Sequence, residues 1–291
     1  MSRTRRAARF ACVLLLLAVV PAAGQDLRQL EQQLRTEYKG KALWLRSCYA
    51  GSSLSFDVQG NLLHPGRVAG CAANQQVQVD GLKLEPGKMR LDCRRLISYF
   101  DTQGILKAIR THDEVKIEIG MGTALDQAAL DAALGKVFHV SNDPLPQPPP
   151  APEQYKSERF EFKPGKPLMV RQKGTSEWKQ VTEISEPIDV GVLDDGQPLY
   201  IFSGGLKPPT VLKAADPDYP GGFPGVSKDS VLVSTILDNE GFVRTMRLKQ
   251  PTSSSAERSV LEAVSQWTFK PATWQGKPVA VAFMVEVNFH P

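Results

Sequence analysis

Eleven residues near the end of the chain alternate without a break. Val279, Val281, Phe283, Val285, Val287 and Phe289 face one way; Ala280, Ala282, Met284, Glu286 and Asn288 face the other. A two-residue period of that length fits a long β-strand, whose successive side chains point to opposite faces of a sheet. The large apolar face demands a cover, while the small and polar face can meet solvent or a partner. Upstream residues supply the cover. Ser254 with Glu257 forms a capping box, and Val260, Leu261, Val264 and Trp267 make one helical stripe. Before them, apolar runs at 231–237 and 242–249 flank Asp238-Asn239-Glu240-Gly241, a Gly-bearing link that makes a hairpin the simplest connection. Pro271 stops helical continuation and Gln275-Gly276 turns the chain into the last strand.

In order and spacing these pieces resemble the TonB C-terminal domain family. The matching words are Tyr219-Pro220, the strand 231–237, the turn 238–241 followed by Val243, and Trp267-Thr268-Phe269-Lys270-Pro271 closing the helix. Gly276-Lys277-Pro278-Val279 and the terminal strand complete the series. Each word is common alone; the ordered set over about 80 residues is far more specific. Asp216-Pro217-Asp218-Tyr219, after a Gly-Gly and Pro-rich lead-in, is similar to signal-peptide-bearing members. The resemblance implies an α+β fold for residues 206–291, with a ββαβ core and a three-stranded antiparallel sheet. It also implies a non-enzymatic role, the capture of an extended peptide or envelope protein such as a segment of an outer-membrane receptor. A long outer strand offers unpaired N–H and C=O groups to which such a segment can add. The partner-binding positions carried over are Val281, Phe283, Val285, Val287 and Phe289. The competing occupants of that edge are the chain's own strands or a second copy, which would make a homodimer. One departure from the family pattern is Gly221-Gly222-Phe223-Pro224-Gly225, which would break the helix that usually follows Tyr-Pro.

The other end of the chain reads as an export signal. Arg3, Arg5, Arg6 and Arg9 precede an apolar run at 10–20 and the small residues Pro21-Ala22-Ala23-Gly24, so residues 1–24 are expected to be a cleaved signal peptide. The run is shorter than the roughly 20 apolar residues of a membrane span. Removing four arginines that no acid accompanies takes the formal charge of +4 to zero, which argues against a nucleic-acid footprint. Export to the periplasm or cell envelope follows, and an oxidising compartment favours one disulfide among Cys48, Cys71 and Cys93, leaving one buried free thiol. The pairing stays open. A cleaved leader would also remove the inner-membrane anchor on which TonB-type energy coupling depends.

Between the ends lie three segments. Residues 25–141 read as a β-rich domain of unknown function: a helix at 26–38, strands at 41–48, 54–58, 76–79, 89–93 and 115–119, and a helix at 125–138 opened by Thr123. Asp80-Gly81 and Pro86-Gly87 read as turns. Residues 142–157 form a linker whose six prolines (144, 146, 148, 149, 150 and 152) keep it extended. Residues 158–205 form a β-rich extension. No nucleophile elbow, phosphate loop or dinucleotide fingerprint is present, the four mature histidines are scattered, and no cofactor or metal is implied. Two alternatives accompany the reading as a periplasmic adaptor: a membrane-anchored energy transducer with an uncleaved N-terminal segment, and an enzyme with an unrecognised site in the N-terminal domain.

Overall fold

The computed structural model describes residues 27–64, 66–122, 126–139, 158–161, 169–172, 176–180, 188–193, 195–201, 206–218, 230–250 and 253–288. The leader, the Pro-rich linker, Tyr219-Pro220, the Gly-rich stretch 221–225 and Phe289 lie outside these residues.

The N-terminal elements are α1 (Leu27–Tyr38), β1 (Ala42–Trp44), β2 (Tyr49–Ala50), β3 (Ser53–Phe56), β4 (Arg67–Val68) and α2 (Cys71–Asn74). The long strands β5 (Gln76–Glu85), β6 (Lys88–Phe100) and β7 (Leu106–Gly120) follow, then α3 (Gln127–Val137). β5, β6 and β7 form an antiparallel meander. Their alternating Val77, Val79, Met89, Leu91, Val115 and Ile117 are fully buried, in one core with Leu30 and Leu34 of α1 and Leu130 of α3. Pro86-Gly87 turns the chain as expected, with Gly87 at φ +77 between the paired Glu85 and Lys88. Asp80-Gly81 does not turn it. The pair sits inside β5 at a register shift between Val79 and Gly81, where Arg110 donates to Asp80 at 2.7 Å and extends the strand past the Gly signal. The cap of α3 is Asp126, whose carboxylate accepts from the Ala129 amide at 2.8 Å; Thr123 is outside the described residues.

Cys48 and Cys71 form the disulfide, and Cys93 is the buried free thiol. The bridge closes a loop of 23 residues and stabilises the fold by on the order of 3 kcal/mol in the chain-entropy view. Burial pushes the Cys93 thiol up to about 12, with Asp80 and Asp92 adding to the rise. The unfolded chain ionises this thiol near its ordinary value while the folded chain holds the proton. Stability at this site is therefore intact below about pH 8.5 and falls by about 1.4 kcal/mol per pH unit above it, until the folded group titrates. Urea denaturation between pH 8 and 11 is expected to show wild type losing more stability than Cys93→Ala; parallel pH profiles would refute the assignment.

After residue 157 come β8 (Glu158–Glu161), β9 (Met169–Gln172), β10 (Lys179–Gln180), β11 (Ile188–Val192), β12 (Pro198–Ile201) and β13 (Thr210–Lys213). The C-terminal unit contains β14 (Ser230–Leu237), β15 (Val243–Leu248), α4 (Ser254–Ser265), β16 (Thr268–Lys270), β17 (Ala272–Trp274) and β18 (Lys277–Asn288). β14 pairs antiparallel with both β15 and β18. Two short strands, β16 and β17, thus separate the helix from the last strand, and β13 pairs with β16. The cap of α4 is Ser253, one residue before the expected Ser254: its hydroxyl accepts from the Ala256 amide at 3.3 Å.

The sheet does not stop at three strands. Fourteen of the described strands share one sheet, with the central order β1-β5-β6-β15-β14-β18-β8-β9-β10. The joint between the N- and C-terminal units is the parallel bridge of Phe100 in β6 to Arg247 in β15. α2 seals that joint. A Cβ on Gly70 would lie 2.7 Å from the Val243 carbonyl oxygen, so only glycine lets α2 approach β15 this closely. Ala72 and Ile97 of the N-terminal unit belong to the same core cluster as Val260 and Val264 of α4.

Candidate functional site

The last strand is held in place by what its two faces bury. Val281, Phe283, Val285 and Val287 are all at most 5% exposed and pack with Val260, Leu261 and Val264 of α4. Phe283 meets Phe269 edge-on at 6.2 Å, and Phe269 meets Trp267 in the same way at 6.3 Å. The indole N–H of Trp267 donates to Ala215 at 2.8 Å, tying the lead-in to the helix end. The four expected partner-binding side chains are therefore core, and only their backbone is left for an incoming strand.

The opposite face is expected from sequence to meet solvent or a partner, and part of it does not. Ala280 and Ala282 are buried with Leu199, Ile201 and Ile236, because β12 brings its own apolar residues alongside. Met284 is half-buried.

The inner edge of β18 is a continuous antiparallel ladder with β14, from Leu237 opposite Val281 to Ser230 opposite Asn288. The outer edge, expected to be an open ladder, is paired within the chain at several positions. β12 pairs with it in parallel, Leu199–Ile201 against residues 280–282, and β8 pairs in parallel through Phe160 opposite Val285. β17 makes a hairpin with the first residues, 277–279. Backbone donors and acceptors of a buried strand need partners, and at residues 280–282 and 285 the chain's own β12 and β8 provide them.

Glu286 is the polar residue of this site that periodicity does not single out. Its side chain is 7% exposed. One carboxylate oxygen accepts from the Ser230 hydroxyl at 2.6 Å and the other from the Arg171 guanidinium at 2.5 Å. Arg171 lies on β9 and reaches across β8 to make this contact, while its guanidinium stacks over the Trp178 ring at 4.9 Å. The signal is present in the sequence: a lone acid on a face otherwise built of Ala280, Ala282 and Met284 needs a charge partner if that face is covered. What the sequence does not contain is the identity of a partner 115 residues away.

A second concavity matters for the enzyme alternative. A cleft of about 630 Å³ lies where the N-terminal unit meets the C-terminal one, lined by Arg95, His112, Asp113 and Glu114 together with Phe242 and Trp267. Arg95 is 5% exposed and donates to the carbonyls of Asn74, Tyr49 and Gly51 at 2.8–3.1 Å, so it braces loops. Desolvation lowers its pKa from the ordinary arginine value. Asp238, in the hairpin turn, is raised by burial despite accepting from the amides of Glu240 and Phe242. Among the described residues there is no group of three or more His, Cys, Asp or Glu that could hold a metal ion. No described helix is long and apolar enough to cross a membrane.

A helix laid over an antiparallel sheet whose last strand is its longest defines the C-terminal unit as an α+β sheet-and-helix domain. Residues 227–291 match the family model described as Gram-negative bacterial TonB protein C-terminal, and this segment of the chain is a TonB C-terminal family domain. That family is not an enzyme family. No curated protein and no solved structure matches the chain.

Proposed function

We propose that the chain is a non-enzymatic, TonB-like protein of the cell envelope that binds an extended segment of a peptide or envelope protein along the outer edge of β18. A receptor of the outer membrane is the partner class the family supports, and transport across that membrane is the setting. The observation that carries the reading is the pairing of that edge with strands from a distant part of the same chain. An edge that accepts β12 and β8 by main-chain hydrogen bonds has the geometry to accept another extended segment. Because β8 and β12 already lie there, binding proceeds by replacement. β12 pairs with β18 over Leu199–Ile201, whereas β8 meets it in register only through Phe160 opposite Val285, so β8 is the strand that leaves.

Transport energy coupling is the second reading, and it requires an anchored leader; N-terminal sequencing of the protein recovered from the envelope separates the two, since a start near Gln25 excludes the anchor. For the binding reading, a photo-cross-linking residue at position 284 is placed beside the outer edge and the full chain is exposed to envelope extract. Cross-links to an outer-membrane protein are expected. If every cross-link stays within the chain, partner capture at β18 is wrong.

A further inference from the structure

We infer that the cleft between the N- and C-terminal units is a second binding site, and that its ligand is a short acidic peptide segment. This site shares no residue with β18. The cleft measures about 630 Å³, a size ordinary for a site that takes a small ligand or a few peptide residues. Its charged walls come from four strands: Arg67 on β4, Arg95 on β6, Asp113 on β7 and Lys213 on β13. Phe242 and Trp267 add apolar surface. Elsewhere on the N-terminal sheet acids and bases neutralise one another. Arg90 meets Glu118 at 2.7 Å, and Arg110 meets Asp80 at 2.7 Å. Glu114, the other acid of the cleft, is taken up by Arg94 at 3.2 Å. Arg67, Lys213 and Asp113 differ: among the described residues their side chains make no hydrogen bond and no ion pair.

Arg95 makes this cleft more than a gap between two units. It is 5% exposed, and a buried cation needs a counter-charge or a full set of acceptors. The carbonyls of Asn74, Tyr49 and Gly51 take three of its five N–H groups. The Nε–H and the second hydrogen of Nη1 have no acceptor among the described residues. Asp113 acts on the guanidinium through space, with no hydrogen bond between them. Three cations thus face one acid that no cation pairs, and a ligand bearing carboxylates restores the balance. A compact anion such as phosphate fits this arrangement less well. The cations stand on three separate strands, and the C-terminal end of α4 opens here through Ser265 and Gln266, adding partial negative charge. An extended peptide meets both demands: its carboxylates reach the separate cations, and its amides donate to Asp113 and to the helix end.

The test uses the full chain and two labelled pentapeptides, one alternating glutamate with leucine and one alternating glutamine with leucine. Fluorescence anisotropy reads binding. Wild type is expected to bind the acidic peptide about tenfold tighter than the glutamine peptide. Arg67 and Lys213 are exposed, so Arg67→Gln and Lys213→Gln are expected to keep the native melting temperature. Each is expected to weaken the acidic peptide by about fivefold and to leave the glutamine peptide unchanged. Inorganic phosphate, added at matched ionic strength, is expected to leave the acidic peptide bound. Equal binding of the two peptides would overturn the inference. So would acidic-peptide binding that neither variant weakens, which places the peptide elsewhere, the outer edge of β18 included. Displacement by phosphate would make the cleft a simple anion site and rule out the peptide.

Discussion

Gly241→Ala is expected to destabilise the C-terminal unit by roughly 3–5 kcal/mol, the range of the severest single substitutions. Gly241 closes the hairpin between β14 and β15 at φ +88, a conformation that side chains rarely adopt. A Cβ there would sit 1.9 Å from the Phe269 carbonyl oxygen. The backbone cannot step aside, because the Phe269 amide donates to the Gly241 carbonyl at 2.8 Å and Asp238 accepts from the amides of Glu240 and Phe242 on the other side of the turn. Relief would break either the turn or the attachment of β16 to it. Urea denaturation followed by tryptophan fluorescence should show the loss; a variant within about 0.5 kcal/mol of wild type would mean that the turn is not packed as described.

Val285→Pro has the second large expected effect, and it separates two pictures of the last strand. On an open edge, proline would remove one donor, silence strand addition and leave the fold intact. In the structure Val285 is 1% exposed, lies opposite Val233 on one edge and Phe160 on the other, and packs under α4. Proline in a strand paired on both sides removes a ladder hydrogen bond, and here the buried valine contacts, about 2 kcal/mol or more for a large-to-small core change, are lost as well. The expected result is unfolding of the C-terminal unit, seen as loss of the near-ultraviolet circular dichroism of Trp267 and Trp274. A variant that keeps its native melting temperature and loses only partner capture would show that the outer edge is open in solution.

The sequence and the structure agree best where local signals and packing point the same way. The hairpin at 230–248, the helix with its Val260, Leu261 and Val264 stripe, and the terminal strand are each readable because periodicity, turn chemistry and breakers coincide within a few residues. Boundaries slip where two serines compete: Ser253 and Ser254 differ as caps only in which backbone they meet. β6 and β7 run to 13 and 15 residues, far beyond the expected cores at 89–93 and 115–119, because Arg94 and Arg95 interrupt the alternation at a register shift. Burial of Arg95 is invisible in one dimension, since its compensation comes from carbonyls of Asn74, Tyr49 and Gly51. The largest departure has the same origin. Periodicity places the core face of β18 correctly, but which strand lies beside it is a long-range pairing that no local pattern encodes. Short runs such as 158–161 look like any edge strand until the register of Phe160 to Val285 is seen.

The most direct measurement is hydrogen exchange on the full chain, with and without the envelope segment recovered by cross-linking. Strand replacement predicts that amides of residues 158–161 and 169–172 lose protection on binding, while those of 280–288 keep theirs. Bound partner with residues 158–172 as protected as before would contradict it, and would move the binding surface away from the last strand.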